Sequence, residues 1–165
     1  MPSLNEAIAR AVIEKDDAFA RFERFANDLV AELEGGAPVL VTSSSWDLGR
    51  DGRGKGPTGT LFCCCSLTDE VDDKSEADLR RLAENAPKID RVYFCSNQRL
   101  SEHRCNKIAA HLQGLLPDTA GVEVFGSLQL ADLTRTHTAP LEAHYAAEVA
   151  DCRAALRADR EESRS

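Results

Sequence analysis

Two stretches, Leu61-Phe-Cys-Cys-Cys-Ser66 and Ile89-Asp-Arg-Val-Tyr-Phe-Cys95, decide how this chain is read. Both are short and rich in apolar, β-branched, aromatic or cysteine side chains, the composition of buried strands. Between them Ser75–Ala86 places Leu79 and Leu82 on one helical face. A helix between two buried strands implies that the strands run parallel. Downstream, Ser101 caps a helix to Leu116, with Ile108, Leu112 and Leu115 or Leu116 facing inward. Val122–Phe125 reads as a further strand, Gln129–Thr134 as a short helix, and residues 141–160 as a helix that grows steadily more charged. Upstream, residues 3–34 read as one long helix or two joined ones. Ser3 and Glu6 have capping-box spacing, and Gly35-Gly36 is the stop. Val39–Thr42 is a short strand. The order predicts an α/β fold with a mixed sheet: an antiparallel group of strands first, a parallel portion later, and helices on both faces. The predicted domain covers residues 1–150, and 151–165 is a charged helical tail or linker.

A chain of 165 residues is about one domain and buries a core without disulfides. Its net charge of −8 excludes a general nucleic-acid coat, because neutralising phosphates takes clustered Lys and Arg. The N-terminal residues lack a basic start followed by an apolar run, and no apolar stretch approaches the roughly 20 residues that span a bilayer. Six cysteines without an export signal point to a reducing, cytoplasmic setting. Cys63 and Cys65 face one way in a strand and Cys64 the other. Their spacing is not that of a zinc knuckle, so they read as core packing with neither disulfide nor structural metal.

The polar feature is the block Thr42-Ser-Ser-Ser-Trp-Asp-Leu-Gly-Arg-Asp-Gly-Arg-Gly-Lys55. Asp51 lies there between two glycines and two arginines. It reads as a metal ligand at a strand bend or as a turn aspartate bonding its own backbone. Asp47 is a weaker second carboxylate, and Trp46 a packing anchor or a base-stacking wedge. Arg50, Arg53 and Lys55 form a local basic patch suited to phosphates, or a solvated hairpin. The glycines do not form a Walker loop, because no Gly-Lys-Ser/Thr opens a helix after a strand. The serines and the four histidines assemble no nucleophile–base motif.

This element order, together with particular residues, resembles the PD-(D/E)XK restriction-endonuclease-like superfamily, most closely its Mrr-like nuclease domains from prokaryotic defence proteins. Phe22-Glu23 is similar to the Phe-Glu pair of those domains, and Gly49-Arg-Asp-Gly52 to their Gly-x-Asp-Gly turn. Tyr93-Phe-Cys-Ser-Asn-Gln98 with Leu100-Ser101 resembles their later strand and following helix cap. The resemblance covers residues 19–130. It implies a Mg²⁺-dependent DNA endonuclease with Asp51 as metal ligand and Glu23 nearby. It also implies a fused or associated ATPase or sensor region; the acidic net charge and the small basic patch themselves predict weak DNA contact as a monomer and action as an oligomer. The chain departs from the family in the strand that should carry an acid or amide, then Lys, where Cys64 and Ser66 stand. Asp72-Asp73-Lys74 offers a relocated Asp-x-Lys, with Asp72 as metal ligand and Lys74 as catalytic lysine. The alternative is that Asp72 and Asp73 merely open a helix. Three readings follow. The first is a decayed nuclease fold acting in DNA or partner binding. The second is an active Mg²⁺-dependent endonuclease using Asp51. The third is an unrelated α/β small-molecule sensor.

Overall fold

The computed structural model describes residues 3–36, 40–41, 55–56, 59–86, 88–117 and 120–164. Eleven elements follow in these residues: α1 (Leu4–Lys15), α2 (Phe19–Leu33), β1 (Leu40–Val41), β2 (Lys55–Gly56), β3 (Gly59–Ser66), α3 (Val71–Asn85), β4 (Arg91–Ser96), α4 (Glu102–Gln113), β5 (Gly121–Phe125), α5 (Ser127–Leu133) and α6 (Thr138–Arg164). The class is α/β, with helices on both faces of a largely parallel sheet.

Local chemistry sets the boundaries. Ser3 Oγ accepts from Glu6 N–H at 3.2 Å and opens α1. The return half of the capping box is not made; the Glu6 carboxylate lies 4.0 Å from Arg10 instead. The N-terminal region is two helices, broken where Asp16 accepts from Ala18 N–H. Gly35 and Gly36 take φ of +70° and +86°, a conformation that disfavours other residues, and end α2. Ser101 Oγ accepts from Arg104 N–H at 3.1 Å and caps α4.

The strands lie in the order β1-β3-β4-β5. β3 and β4 are both interior and parallel, in a register that places Cys63 opposite Tyr93 and Cys65 opposite Cys95. β5 continues in parallel on β4. The expected antiparallel group is not what the described strands form. β1 runs parallel to β3, Val41 opposite Cys63, and the antiparallel pairing is β2 with the first residues of β3. Parallel neighbours need a connection of a dozen or more residues, and the chain between Val41 and Gly59 is long enough to supply one.

Alternation along β3 and β4 divides the core in two. Cys63, Cys65, Tyr93 and Cys95 pack with α1, α2, α5 and Tyr145 of α6. Phe62, Cys64, Val92 and Phe94 pack on the other face with Val71, Leu79 and Leu82 of α3 and Ile108 and Leu112 of α4. Both faces are covered, so these strands are apolar at nearly every position. The expected inward residues of α4 are buried, with Leu116 rather than Leu115 completing the set.

α6 is kinked at Tyr145 (φ −130°, ψ 19°) and then continues as helix to Arg164, past the predicted boundary at residue 151. Gly126 joins β5 to α5 at a close approach: a Cβ there would lie 2.7 Å from Gln98 O and 2.8 Å from Leu100 side-chain atoms.

Candidate functional site

Glu23 is the described candidate at the edge of the buried stripe of α2. α2 is amphipathic, and its buried stripe of Phe22, Phe25, Ala26 and Leu29 presses the helix onto the thiol-lined side of β3. The Glu23 carboxyl is half-buried beside Cys63. Burial pushes its pKa up, negative charge on the Cys63 sulfur, which Cys65 and Cys95 favour, pushes it further, and Arg24 opposes them. One turn on, Asn27 Oδ1 is buried without a hydrogen-bond partner among the described residues. Under Glu23, the Cys63 and Cys65 sulfurs are 3.7 Å apart and both residues are buried. Contact with Cys63 and burial together push the Cys65 and Cys95 thiols up. Cys64 points to the opposite side, into the α3–α4 core. Ser66, at the strand end, accepts from Thr68 N–H at 3.1 Å. The strand residue whose charge Glu23 feels is Cys63, one position away from the place where the resemblance puts the acid.

The relocated Asp-x-Lys lies elsewhere. Asp72 and Asp73 are in the first turn of α3, where carboxylates interact favourably with the helix dipole. Asp72 is 68 % exposed and 3.6 Å from Arg104 of α4, on the face of the sheet opposite Glu23. Lys74 Nζ is held by the buried Asp78 at 2.9 Å, one turn along its own helix. It borders a shallow hollow at the end of β3 with Phe19, Ser66 and Thr68. Glu23 and Asp72 stand on opposite faces, and Lys74 shares its hollow with Phe19, one turn before Glu23. Asp51, Arg50 and Arg53, with Asp47 and Trp46, lie outside the described residues. Lys55 is in β2, its backbone opposite Thr60. The described residues flanking this block, Val41 and Lys55, both pair with β3.

Magnesium is a hard cation that takes oxygen ligands in octahedral geometry. Glu23 and Asp72 are on opposite faces, and no group of three or more His, Cys, Asp or Glu among the described residues is arranged to hold a metal ion. Asp51, the first ligand that the resemblance names, lies outside the described residues, so the described carboxylates are only part of the set.

At the carboxyl ends of β4 and β5, where α/β folds commonly bind small ligands, the protein places its own side chains, while the end of β3 borders the shallow hollow. Asn97 Nδ2 donates to Asp16 O at 3.0 Å, and Gln98 Nε2 donates to Leu67 O at 3.0 Å. Ser127 Oγ and the Arg99 guanidinium both donate to the Glu14 carboxylate. These contacts fasten α1 across the strand ends. Strand order also follows chain order without reversal among β1, β3, β4 and β5, so these strands form no switch-point crevice.

Sequence reasoning missed a second cluster. Asp16 accepts from Arg21 Nη2 at 2.8 Å, from Tyr145 Oη at 2.5 Å and from Ala18 N–H. Burial works to raise its pKa, but those donors outweigh it and hold the carboxyl below its ordinary value. The Arg21 guanidinium also lies 5.2 Å from the Tyr145 ring centroid. The only sequence signal was the helix break at Asp16-Asp17-Ala18, which names no partner.

No helix among the described residues is long and apolar enough to cross a membrane. No protein-family model matches the chain, and no curated protein or solved structure matches it either.

Proposed function

We propose that this chain is a restriction-endonuclease-like domain of a prokaryotic, anti-phage defence protein, with a decayed catalytic strand, that acts in DNA or partner binding. The observation that carries this reading is the interior of β3. Cys63, Cys64 and Cys65 are all buried, on both faces of the sheet, where a nuclease needs a carboxylate and a lysine open to substrate. The lysine that would substitute, Lys74, is engaged by Asp78. The domain acts in the cytoplasm, contacts DNA locally through Arg50, Arg53 and Lys55, and is brought to useful affinity by an oligomerising ATPase or sensor region.

The alternative is an active endonuclease using Asp51. It is favoured by one relationship: Glu23 lies beside Cys63, the residue paired with Val41 at the entrance to the Asp51 block. The sensor reading is weaker, because Asn97 and Gln98 tie the end of β4 to the backbone at Asp16 and Leu67.

Supercoiled plasmid incubated with the purified chain and Mg²⁺ or Mn²⁺ separates the first two readings. The expected result is no nicking with either ion. Metal-dependent nicking that disappears in Asp51→Ala would overturn the decayed-site reading and establish the alternative.

A further inference from the structure

Beyond the core, α6 carries a pattern of charge that the fold itself does not use. Residues 153–163 are exposed. Arg153, Arg157 and Arg160 recur there at spacings of four and three, and position 164 is also arginine. At about 100° per residue these four positions fall within an arc of about 60° on the helix. The carboxylates of the same segment, Asp151, Asp159, Glu161 and Glu162, fall outside that arc. In a chain of net charge −8, every position of 151–164 in this arc is arginine, with Glu161 at its border.

Helix stability does not explain the stripe. Arg157 has a favourable i,i+4 partner position in Glu161, but Arg153 with Arg157 and Arg157 with Arg160 are like charges at i,i+4 and i,i+3, which weaken a free helix. Arginines favour a helix C-terminus through the dipole, but that effect fades within the last turn and does not reach Arg153 or Arg157. Tertiary packing does not explain it either. Arg153 donates to Asn5 Oδ1 at 3.1 Å, where the helix leaves the body. Arg157 and Arg160 have no hydrogen-bond or ion-pair partner among the described residues. The same face one turn back, Ala146, Val149 and Ala150, lines a groove against α1. A packing face thus becomes a guanidinium face as soon as it passes the core.

We infer that the arginine stripe of α6 is a docking surface for the phosphate backbone of duplex DNA. Eleven residues of helix span about 16 Å, the length of about five phosphates along one strand at 3.4 Å each. Guanidinium groups suit phosphate because their planar donor fork pairs with two oxygens at once. The surface supplies phosphate pairing that the three basic residues near Asp51 are too few to supply alone. It rests on the DNA-binding reading above and assigns that reading a second site.

The test is fluorescence anisotropy of a short labelled duplex titrated with the full chain from about 50 mM to about 200 mM salt. Arg157→Ala with Arg160→Ala should weaken binding at least about tenfold at the lower salt and flatten the salt slope by roughly 1.8, about 0.9 for each phosphate that is no longer neutralised. Arg157→Lys with Arg160→Lys should keep most of the binding, and Asp159→Asn on the other face should change it less than twofold. Circular dichroism should show equal helix content in all variants. Binding that survives the double alanine change but is lost in Arg50→Ala with Arg53→Ala would overturn the stripe and leave the DNA-binding reading standing. No binding by the wild-type chain at low salt would overturn both. Equal competition by polyglutamate of matched charge would overturn the assignment to nucleic acid and mark the stripe as a surface for acidic protein.

Discussion

Tyr145 and Asp16 are 129 positions apart in sequence, yet the tyrosine hydroxyl donates to the aspartate carboxylate at 2.5 Å inside the core. Tyr145 stands at the kink of α6, and Asp16 at the break between α1 and α2. The bond therefore joins the two points at which these helices change direction. Arg21 completes the group and also reaches Glu148 at 3.1 Å. Tyr145→Phe removes one donor from a buried acceptor that keeps its other partners, and should cost about 1–2 kcal/mol in urea unfolding. Asp16→Ala leaves the arginine and the tyrosine without their acceptor and should cost about 2–3 kcal/mol or more. Equal stability of wild type and Asp16→Ala would show that the cluster contributes nothing net.

The same carboxylate sets a pH dependence. Its folded pKa lies below the ordinary 3.8, so its contribution is present above that value and is lost as pH falls through the folded one. The stability difference between wild type and Asp16→Asn should be constant near neutral pH and shrink in acid. Thermal unfolding of both proteins across that range checks the sign.

Glu23 should behave in the opposite sense. Its folded pKa is raised above 4.5, so the ionised form is disfavoured in the folded state once pH exceeds that value. Glu23→Gln should melt no lower than wild type at neutral pH, and any advantage should disappear below the ordinary carboxylate range. Sites that bind ligands commonly keep such locally unfavourable groups. A gain in melting temperature together with loss of DNA binding would mark Glu23 as functional; a gain alone would mark it as a packing residue.

The thiols should divide by accessibility. Cys63, Cys64, Cys65, Cys95 and Cys105 are buried, whereas Cys152 is partly exposed on α6. A thiol reagent added to native protein should label Cys152 fast and the other five only at the rate of unfolding. Metal analysis should find no stoichiometric zinc. Rapid labelling of Cys63 would show that the β3 face opens, and zinc lost on Cys63→Ser would overturn the packing role.

Gly126→Ala should destabilise by at least about 1–3 kcal/mol, because the added methyl meets a carbonyl oxygen and a packed leucine rather than a flexible chain end. Denaturant midpoints read the effect directly.

The parallel centre of the fold was legible because its signal is local. Leu61–Ser66 and Ile89–Cys95 are apolar runs flanking a helix with Leu79 and Leu82 on one face, and β3, α3 and β4 lie where those patterns place them. The direction of β1 was not legible, since two described residues carry no periodicity and direction depends on the long connection after them. Opposite placement of Glu23 and Asp72 was hidden for a related reason: each looks the same in sequence whichever face its helix covers. The Asp16–Tyr145 bond was invisible, because nothing short-range links a helix-break aspartate to a tyrosine in the last helix. The arginine period of α6, by contrast, is written in the sequence, and it took the exposure of that helix to separate it from an ordinary solvated tail.

One core cluster joins the first and last thirds of the chain: Phe22, Phe25 and Leu29 of α2 pack with Leu130 of α5 and Tyr145 of α6. A ribosome makes α2 long before α6. At roughly 5–20 residues per second, Phe25 waits on the order of ten seconds for the ring that will cover it. Throughout that interval the nascent chain presents an uncovered phenylalanine-rich helix, the kind of surface that holding chaperones bind and that self-associates when several copies are made on one message. Yield of the native protein should therefore depend on translation speed and chaperone supply far more than its equilibrium stability would suggest.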